Sequence, residues 1–415
     1  MTSPGKILIL KLYNKLLCLL LNGTHIISAH AQNEKAISIG DIYIGKVQNI
    51  SRNIDAAFVD LGNKYLTFLP LAEARAAIVL NRTPDGSLKS GDEVLVQVVK
   101  EPMKTKLAGV TTRISLSGRY VVAGTRTPGQ KSAGPLPDCV SPEATHTNDS
   151  VQVSSKLNKK QQHRFRSLEA LQALSREYQI IVRTNAGTLT EEGPLLDEVR
   201  QLTEKLTHLL AIADKRTCYS CLYRSKPDYI TFIQNTYRTE YAEVVTDLPD
   251  IYEILRESFE DTDIPIRFYE DSLLPLHKLY SVETRIKELL DTKVWLKSGG
   301  YLVIEPTEAL ISIDVNTGKC ETGKNAEETF LKINLEAAEM IALQLRARNL
   351  SGIILVDFIN MKHKEHEQQL IESMRKLLRQ DPVTANVVDM TELGLMELTR
   401  KKTDQSFARQ MRKDS

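Results

Sequence analysis

Two runs, Ala309–Gly318 (ALISIDVNTG) and Ser351–Met361 (SGIILVDFINM), constrain this chain more than any others. Each is a β-prone apolar segment that carries an acid where a core strand should have none. Asp314 and Asn316 are two apart and so share one face of a strand. Asp357 ends the run Gly352–Val356, which otherwise reads as a fully buried strand. A carboxylate in such a place is costly unless it is paired or bound to a cation. Two carboxylates and an amide converging from two strands suit a hard, oxygen-seeking ion such as Mg²⁺, and hence phosphodiester chemistry. On spacing alone a plainer account also holds: Asp-x-Asn opens a turn at Thr317-Gly318, and Asp357 caps a strand end.

A chain of 415 residues has room for two to four domains, each with its own core. Its 54 basic residues are balanced by 53 acidic ones, so a nucleic-acid partner would have to be held by local basic patches. Five scattered cysteines argue for a reducing compartment and against a disulfide framework. The apolar start, Lys6–Gly23, has the look of a secretory leader. Lys11 and Lys15 interrupt it, however, no small-residue cleavage site follows, and it is too short and charged to span a bilayer. Asn22-Gly23 predicts a hairpin turn with Thr24–His30 as the return strand. A folded hairpin in a cytoplasmic protein is the expectation.

Residues 38–118 contain five short strands punctuated by turns, a spacing that suits a small OB-type barrel. Phe58 and Phe68 fall on successive strands, with Lys46 and Lys106 nearby in sequence. Exposed aromatics on such a barrel stack unpaired bases while Lys tracks phosphate; a strand Phe is more commonly core. Residues 123–150 are rich in Pro, Gly, Ser and Thr and predict a flexible excursion. Helical patterns at 161–177 and about 190–215 flank an apolar strand, Gln179–Arg183. The Arg183-Thr184 pair at its end suits a phosphate dianion, although a surface Arg in a turn accounts for it as well.

The last third reads as α/β. Asn325 caps a helix from Ala326 to about Asn349, with Glu327 and Glu328 in its first turn and Phe330, Ile333, Ala337, Ile341 and Leu345 as its apolar stripe. A second helix near 363–380 stops before Pro382. The strand–helix–strand order would bring the two acidic segments together. Cys218 and Cys221 have half-zinc spacing but lack a second pair, so they read as two thiols. His363 and His366 lack the HExxH order and read as solvated.

The strings SGGYLVIEPTEALISIDVNTG, INLEAAEMIALQLRARNLSGIILVDFINM and TELGLMELTRKK closely resemble the ribonuclease E/G family of endoribonucleases, and the segment order agrees from residue 1 to about 402. That resemblance implies a multidomain α/β plus β fold. An RNase H-like subdomain would be built from 1–37 and 212–280, and a DNase I-like α/β catalytic domain would occupy 281–400. Inserted in the former would be an S1-type OB-fold barrel (38–118) and a 5′-sensor region (119–211). It further implies that Asp314 and Asp357 bind Mg²⁺ and that Asn316 supports the site by hydrogen bonding. The activity would be hydrolysis of single-stranded RNA to 5′-phosphate and 3′-hydroxyl ends, in ribosomal RNA maturation and messenger decay. GDIYIGKVQNISRNIDAAFVDLG resembles the family's S1-type barrel, which implies RNA contact for Phe58, Phe68, Lys46 and Lys106. Gly118 and Val122, with Arg183 and Thr184, would sense a 5′-monophosphate.

The chain also departs from the family's pattern. NAGTLTEEG stands where a Gly-rich AGVGKS-like loop is usual and adds Glu191 and Glu192. Asn360 stands where Asp is common. No cysteine follows Cys320, so the family's zinc link between subunits is not carried over, and a homodimer without that link is expected. The basic tail 401–415 would touch RNA or stay disordered. The rival readings are a non-catalytic S1-type RNA-binding protein and a metal nuclease not restricted to RNA.

Overall fold

In the computed structural model the described residues are 4–32, 37–63, 65–74, 77–83, 85, 87–102, 106–126, 151–260, 262–318 and 326–412. They form two compact units. Glu34–Pro227 is inserted between Met1–Asn33 and Asp228–Ser415, which together make the flanking unit.

The apolar N-terminus is sheet. Gly5–Leu12, Lys15–Asn22 and His25–Gln32 form an antiparallel meander, extended by Tyr241–Thr246, parallel to the first strand, and then by Ile266–Phe268, parallel to Tyr241–Thr246. The first turn was not anticipated: Tyr13 and Asn14 both take positive φ, splitting the run Lys6–Gly23 into two strands. The second turn falls at Gly23-Thr24 rather than Asn22-Gly23, because Asn22 still pairs with His25. Both faces of this sheet are covered. Leu8, Leu10, Leu17 and Leu19 pack with Leu276, Ile286 and Phe407 on one side. Ile7, Ile9, Cys18 and Leu20 pack with Ile230, Ile233 and Leu255 on the other. Two-sided burial removes the polar alternation of an ordinary antiparallel strand, which is why this segment imitates a leader.

His25–Gln32 is an edge strand, and such edges need cover. The cover is the basic C-terminal stretch, which is docked through residue 412 rather than loose. Phe407–Met411 is a helix whose Phe407 is fully buried. Gln410 Oε1 accepts from the Ala31 N–H at 2.9 Å, and Lys15 donates to the Gln410 carbonyl. Residues 413–415 lie outside the described ones. His30 sits between two acids of this region, its Nε2 3.2 Å from Asp228 and its Nδ1 3.4 Å from Asp404.

The second sheet of the flanking unit has the order Lys293–Trp295, Tyr301–Pro306, Leu310–Asn316, Gly352–Asp357, Leu395–Arg400, Ala385–Met390. Helices Ala326–Ala347 and Lys364–Leu378 cover one of its faces, with Ile333, Ala337, Ile341, Leu370 and Met374 in the shared core. The cap expected at Asn325 lies outside the described residues.

In the inserted unit, Ile42–Ser51, Ala56–Asp60, Leu66–Pro70, Ala108–Thr111 and Glu93–Lys100 pair in a ring. The first strand bonds the last and closes a five-stranded, OB-like barrel. Cys221–Tyr223 adds to the strand Ile42–Ser51, so this unit runs to Pro227, past the boundary at 212 that the sequence suggests. A four-stranded sheet (Val151–Val153, Tyr178–Val182, Val121–Thr125, Ser115–Ser117) and the helix Gly193–Ala213 complete the unit. Most of the excursion 123–150 lies outside the described residues; its first residues belong to the strand Val121–Thr125. No helix among the described residues is long and apolar enough to cross a membrane.

The His30 clasp makes stability depend on pH. Burial of the ring opposes its protonation, yet hydrogen bonds to Asp228 and Asp404 outweigh that and raise its pKa to about 9. A pKa raised on folding contributes stability that is fully present below the unfolded value of about 6.5 and is lost as pH rises through the folded one. The thermal midpoint of the native chain should therefore fall between pH about 6.5 and about 9 more steeply than that of His30→Gln. Parallel curves for the two proteins would show that the clasp does not use the imidazolium.

Candidate active site

On the strand Leu310–Asn316, Ile311, Ile313 and Val315 turn toward the helices, so Ser312, Asp314 and Asn316 share the opposite face. On Gly352–Asp357 the buried residues are Ile354 and Val356, which leaves Ile353, Leu355 and Asp357 on that same face. The strand is thus buried on one side only, unlike the expectation of full burial; Ile353 is 55% exposed. Asp314 and Asp357 are both exposed.

The two strands run parallel with Asp314 directly opposite Asp357. Parallel neighbours of this kind need a crossover connection, supplied here by the helix Ala326–Ala347. Strand spacing sets the two backbones about 4.8 Å apart. At such a separation two carboxylates repel by roughly 1 kcal/mol even in water-like surroundings. Among the described residues neither is paired with Lys or Arg. Asn316 Nδ2 donates to Asp314 Oδ2 at 2.7 Å, which fixes that carboxylate.

Three supports hold these residues, and only Gly318, in the expected turn, was singled out in the sequence. A Cβ at Gly300 would come within 2.8 Å of the Asn316 carbonyl oxygen, so glycine is needed where the 296–300 turn meets the strand end. Gly318 has φ +59° and packs on the Gly299 carbonyl, where any Cβ would collide at 2.2 Å. Asn334 was missed because it lies within an otherwise apolar helix face. It is fully buried, donates to the Ile359 carbonyl at 2.8 Å and accepts from the Ile359 N–H at 3.0 Å, so it pins the chain just beyond Asp357. A paired amide of this sort is the usual reason for a polar residue in a core. Asn360 is exposed at the same end of the sheet.

The barrel carries its own constellation. Phe58 and Phe68 are direct cross-strand partners with ring centroids 6.4 Å apart in an edge-to-face arrangement. Both are half-buried, whereas their neighbours Ala57, Val59 and Leu69 fill the barrel core. The pair therefore lies on the outer surface. Lys46 is exposed, paired in register with Asp60 two residues from Phe58. Lys106 is exposed just ahead of the strand Ala108–Thr111, which neighbours Phe68. Lys100, which no local pattern singles out, lays its stem against Gly109, the residue opposite Phe68.

The third group lies on the four-stranded sheet. Arg183 Nη1 donates to the Gly118 carbonyl at 2.5 Å, and the Thr184 hydroxyl is 2.9 Å from that of Ser154. Arg183 and Thr184 are half-buried, while Gly118 and Val122 are buried, Val122 against Ile181. Glu198 is the residue that sequence reasoning overlooked here. Its carboxylate accepts from the backbone N–H groups of Arg119, Tyr120 and Val121 at 2.6, 2.7 and 2.9 Å. The same carboxylate occupies the space a Cβ at Gly118 would need. This turn is thus a ready anion nest already filled by the protein's own acid. Glu192 of the added acidic pair is engaged with Arg164 at 3.2 Å.

Among the described residues, no group of three or more His, Cys, Asp and Glu has the arrangement of a metal site. Cys218 and Cys221 are free thiols, and burial raises the pKa of both. His363 is exposed; His366 stacks edge-on against it and lies 3.4 Å from Glu327.

Residues 37–113 match the S1 RNA binding domain, and residues 142–403 match the Ribonuclease E/G family. The chain is 32% identical over 383 residues to ribonuclease E of Nostoc sp. (strain PCC 7120), covering 89% of this chain and 52% of that protein. It is 32% identical over 388 residues to ribonuclease G of Haemophilus influenzae, covering 89% and 73%. With ribonuclease G of Escherichia coli (strain K12) the figures are 31% over 389 residues, 89% and 74%. The chain thus spans about half the length of the ribonuclease E relative and roughly three-quarters of the ribonuclease G relatives. The family match covers well over half of the sequence, and the chain belongs to the ribonuclease E/G family.

Proposed function

We propose that the chain is a Mg²⁺-dependent endoribonuclease that hydrolyses single-stranded RNA to 5′-phosphate and 3′-hydroxyl ends. The observation that carries this reading is the register pair Asp314/Asp357 with Asn316 bonded to Asp314. Membership in the ribonuclease E/G family and an S1-type barrel support it. By the same membership we assign the activity to ribosomal RNA maturation and messenger decay in the cytoplasm.

The donor set fits the proposed ion. Two unpaired carboxylates side by side favour a cation, and two protein oxygens leave room for the waters and phosphate oxygens that Mg²⁺ retains. Asp314 and Asp357 would hold it; when bound, it would polarise the scissile phosphate and activate an attacking water. The remaining work falls to the chain itself. Asn316 orients the Asp314 carboxylate, Gly300 and Gly318 let the turn close against that strand end, and Asn334 fixes the backbone after Asp357. No Ser, Cys or His nucleophile is required.

In the barrel, Phe58 and Phe68 would stack unpaired bases, each worth ~1–3 kcal/mol, with Lys46 and Lys106 along the phosphates. For the 5′ end, Arg183 and Thr184 supply the side chains for a terminal phosphate. The amides of 119–121 already serve Glu198, so the phosphate would rely on the side chains of that pair.

The direct test compares matched RNA and DNA oligomers in Mg²⁺. The native chain should cut RNA internally, leaving 5′-phosphates, and leave DNA intact. Asp314→Asn and Asp357→Asn should each lose cutting by several orders of magnitude while RNA binding persists. Equal cutting of DNA would favour a general metal nuclease, and full activity in both variants would remove the assigned site. Separately, Arg183→Ala should erase a rate advantage of 5′-monophosphate over 5′-hydroxyl RNA and spare the 5′-hydroxyl rate. An equal loss on both substrates would refute the sensor.

A further inference from the structure

The edge strand Lys293–Trp295 carries residues that the assigned site does not use. Trp295 is the only tryptophan of the chain and is 61% exposed, an unusual condition for so large an apolar side chain. It pairs across the ladder with Tyr301, the two rings 5.4 Å apart. Lys293 lies against both, its Nζ 4.2 Å from the Trp295 centroid and 3.7 Å from that of Tyr301. Cation–π contacts on this scale brace the indole in one pose while much of it remains open to solvent.

Register places this cluster beside the acids. Leu302 and Ile304 are buried toward the helices, so Tyr301 and Val303 turn to the other face, where Asp314 and Asn316 lie. One row across the sheet reads Trp295, Tyr301, Asn316; the next reads Lys293, Val303, Asp314, Asp357. At strand spacing, Trp295 is about 10 Å from Asn316, and Lys293 about 10 Å from Asp314. That is within reach of a short extended single strand whose phosphate sits at the acid pair. An exposed aromatic joined to a cation is the combination that holds an unpaired nucleobase and its phosphate.

Resting on the endoribonuclease reading above, we propose that Trp295, braced by Lys293 and Tyr301, is a stacking platform for an unpaired base flanking the scissile phosphate. Charge and chemistry favour this occupant over a second protein chain. The cluster offers a cation and a π face, and it is continuous with the face that would hold the RNA backbone.

Because Trp295 is the sole tryptophan, its emission reports on the platform in the intact chain. In Asp314→Asn, which separates binding from cutting, a short unstructured RNA should quench that emission with the midpoint of binding. Moving one abasic residue along the RNA should abolish the quenching at a single position near the cleavage point. In the otherwise native chain, Trp295→Ala should raise KM about tenfold with little change in kcat, the scale of one lost stacking contact, and Trp295→Phe should restore most of it. Emission unchanged at RNA saturation, or a native KM in Trp295→Ala, would overturn the platform and leave the nuclease standing. A concentration-dependent blue shift without RNA, with dimers in sedimentation, would overturn it in favour of a second copy on this face. Failure of the native chain to cut any RNA would instead strike the endoribonuclease reading, and the emission titration would still decide whether Trp295 meets a base.

Discussion

The parallel pairing of Leu310–Asn316 with Gly352–Asp357 is the constraint on which the chemistry of the flanking unit depends. Its register sets Asp314 opposite Asp357, and the alternation of each strand turns both acids away from the helices. A slip of one residue would exchange the faces, driving the carboxylates into the core beside Ile333 and Ile341 and exposing Ile313 and Val356. The register is therefore specified by the cost of that exchange, several buried aliphatic side chains at ~1.5–3 kcal/mol each. The repulsion of two neighbouring carboxylates, roughly 1 kcal/mol, is small beside it. The core can hold the acids together without help, and a site of mutual repulsion is built in advance of any cation.

The supporting residues share this logic. Asn334 uses a buried amide to fix the backbone of Ile359, Gly300 and Gly318 let two chain segments approach more closely than any Cβ permits, and Glu336 accepts from the N–H groups of Lys297 and Ser298. Each acts on backbone, so the positions of Asp314, Asn316 and Asp357 do not rest on flexible side-chain contacts. The inserted unit uses a comparable device at Gly118, where Glu198 gathers three amides of one turn. There the filled nest leaves the proposed 5′-phosphate contact to the side chains of Arg183 and Thr184.

The acidic strands, the five barrel strands and the long helix from Ala326 were legible in the sequence because each has a clear apolar period or a turn signal. The N-terminal meander was harder. With both faces buried, Leu17–Leu21 has no alternation, and Tyr13-Asn14 is not among the usual turn pairs, so its first turn was missed and the second displaced by one residue. The docked C-terminus was not legible for a related reason: Phe407 and Met411 are scattered among polar and charged residues, and their burial depends on contacts with strands that open the chain. Burial of Gly352–Val356 was overestimated because a run of aliphatic residues gives no sign that one face lies open. Asn334, Glu198 and Lys100 act through partners distant in sequence or across a strand, and no local pattern announces such contacts.

The proposed chemistry rests on Asp314 and Asp357 together making a divalent-cation site. Mn²⁺ accepts the same oxygen donors as Mg²⁺ and is visible by electron paramagnetic resonance. Titration of the intact chain with Mn²⁺, with Asp357→Asn alongside, measures the site without any reference to catalysis. One Mn²⁺ should bind per chain, be displaced by excess Mg²⁺ and be lost in the variant. Binding of equal strength in both proteins would contradict this.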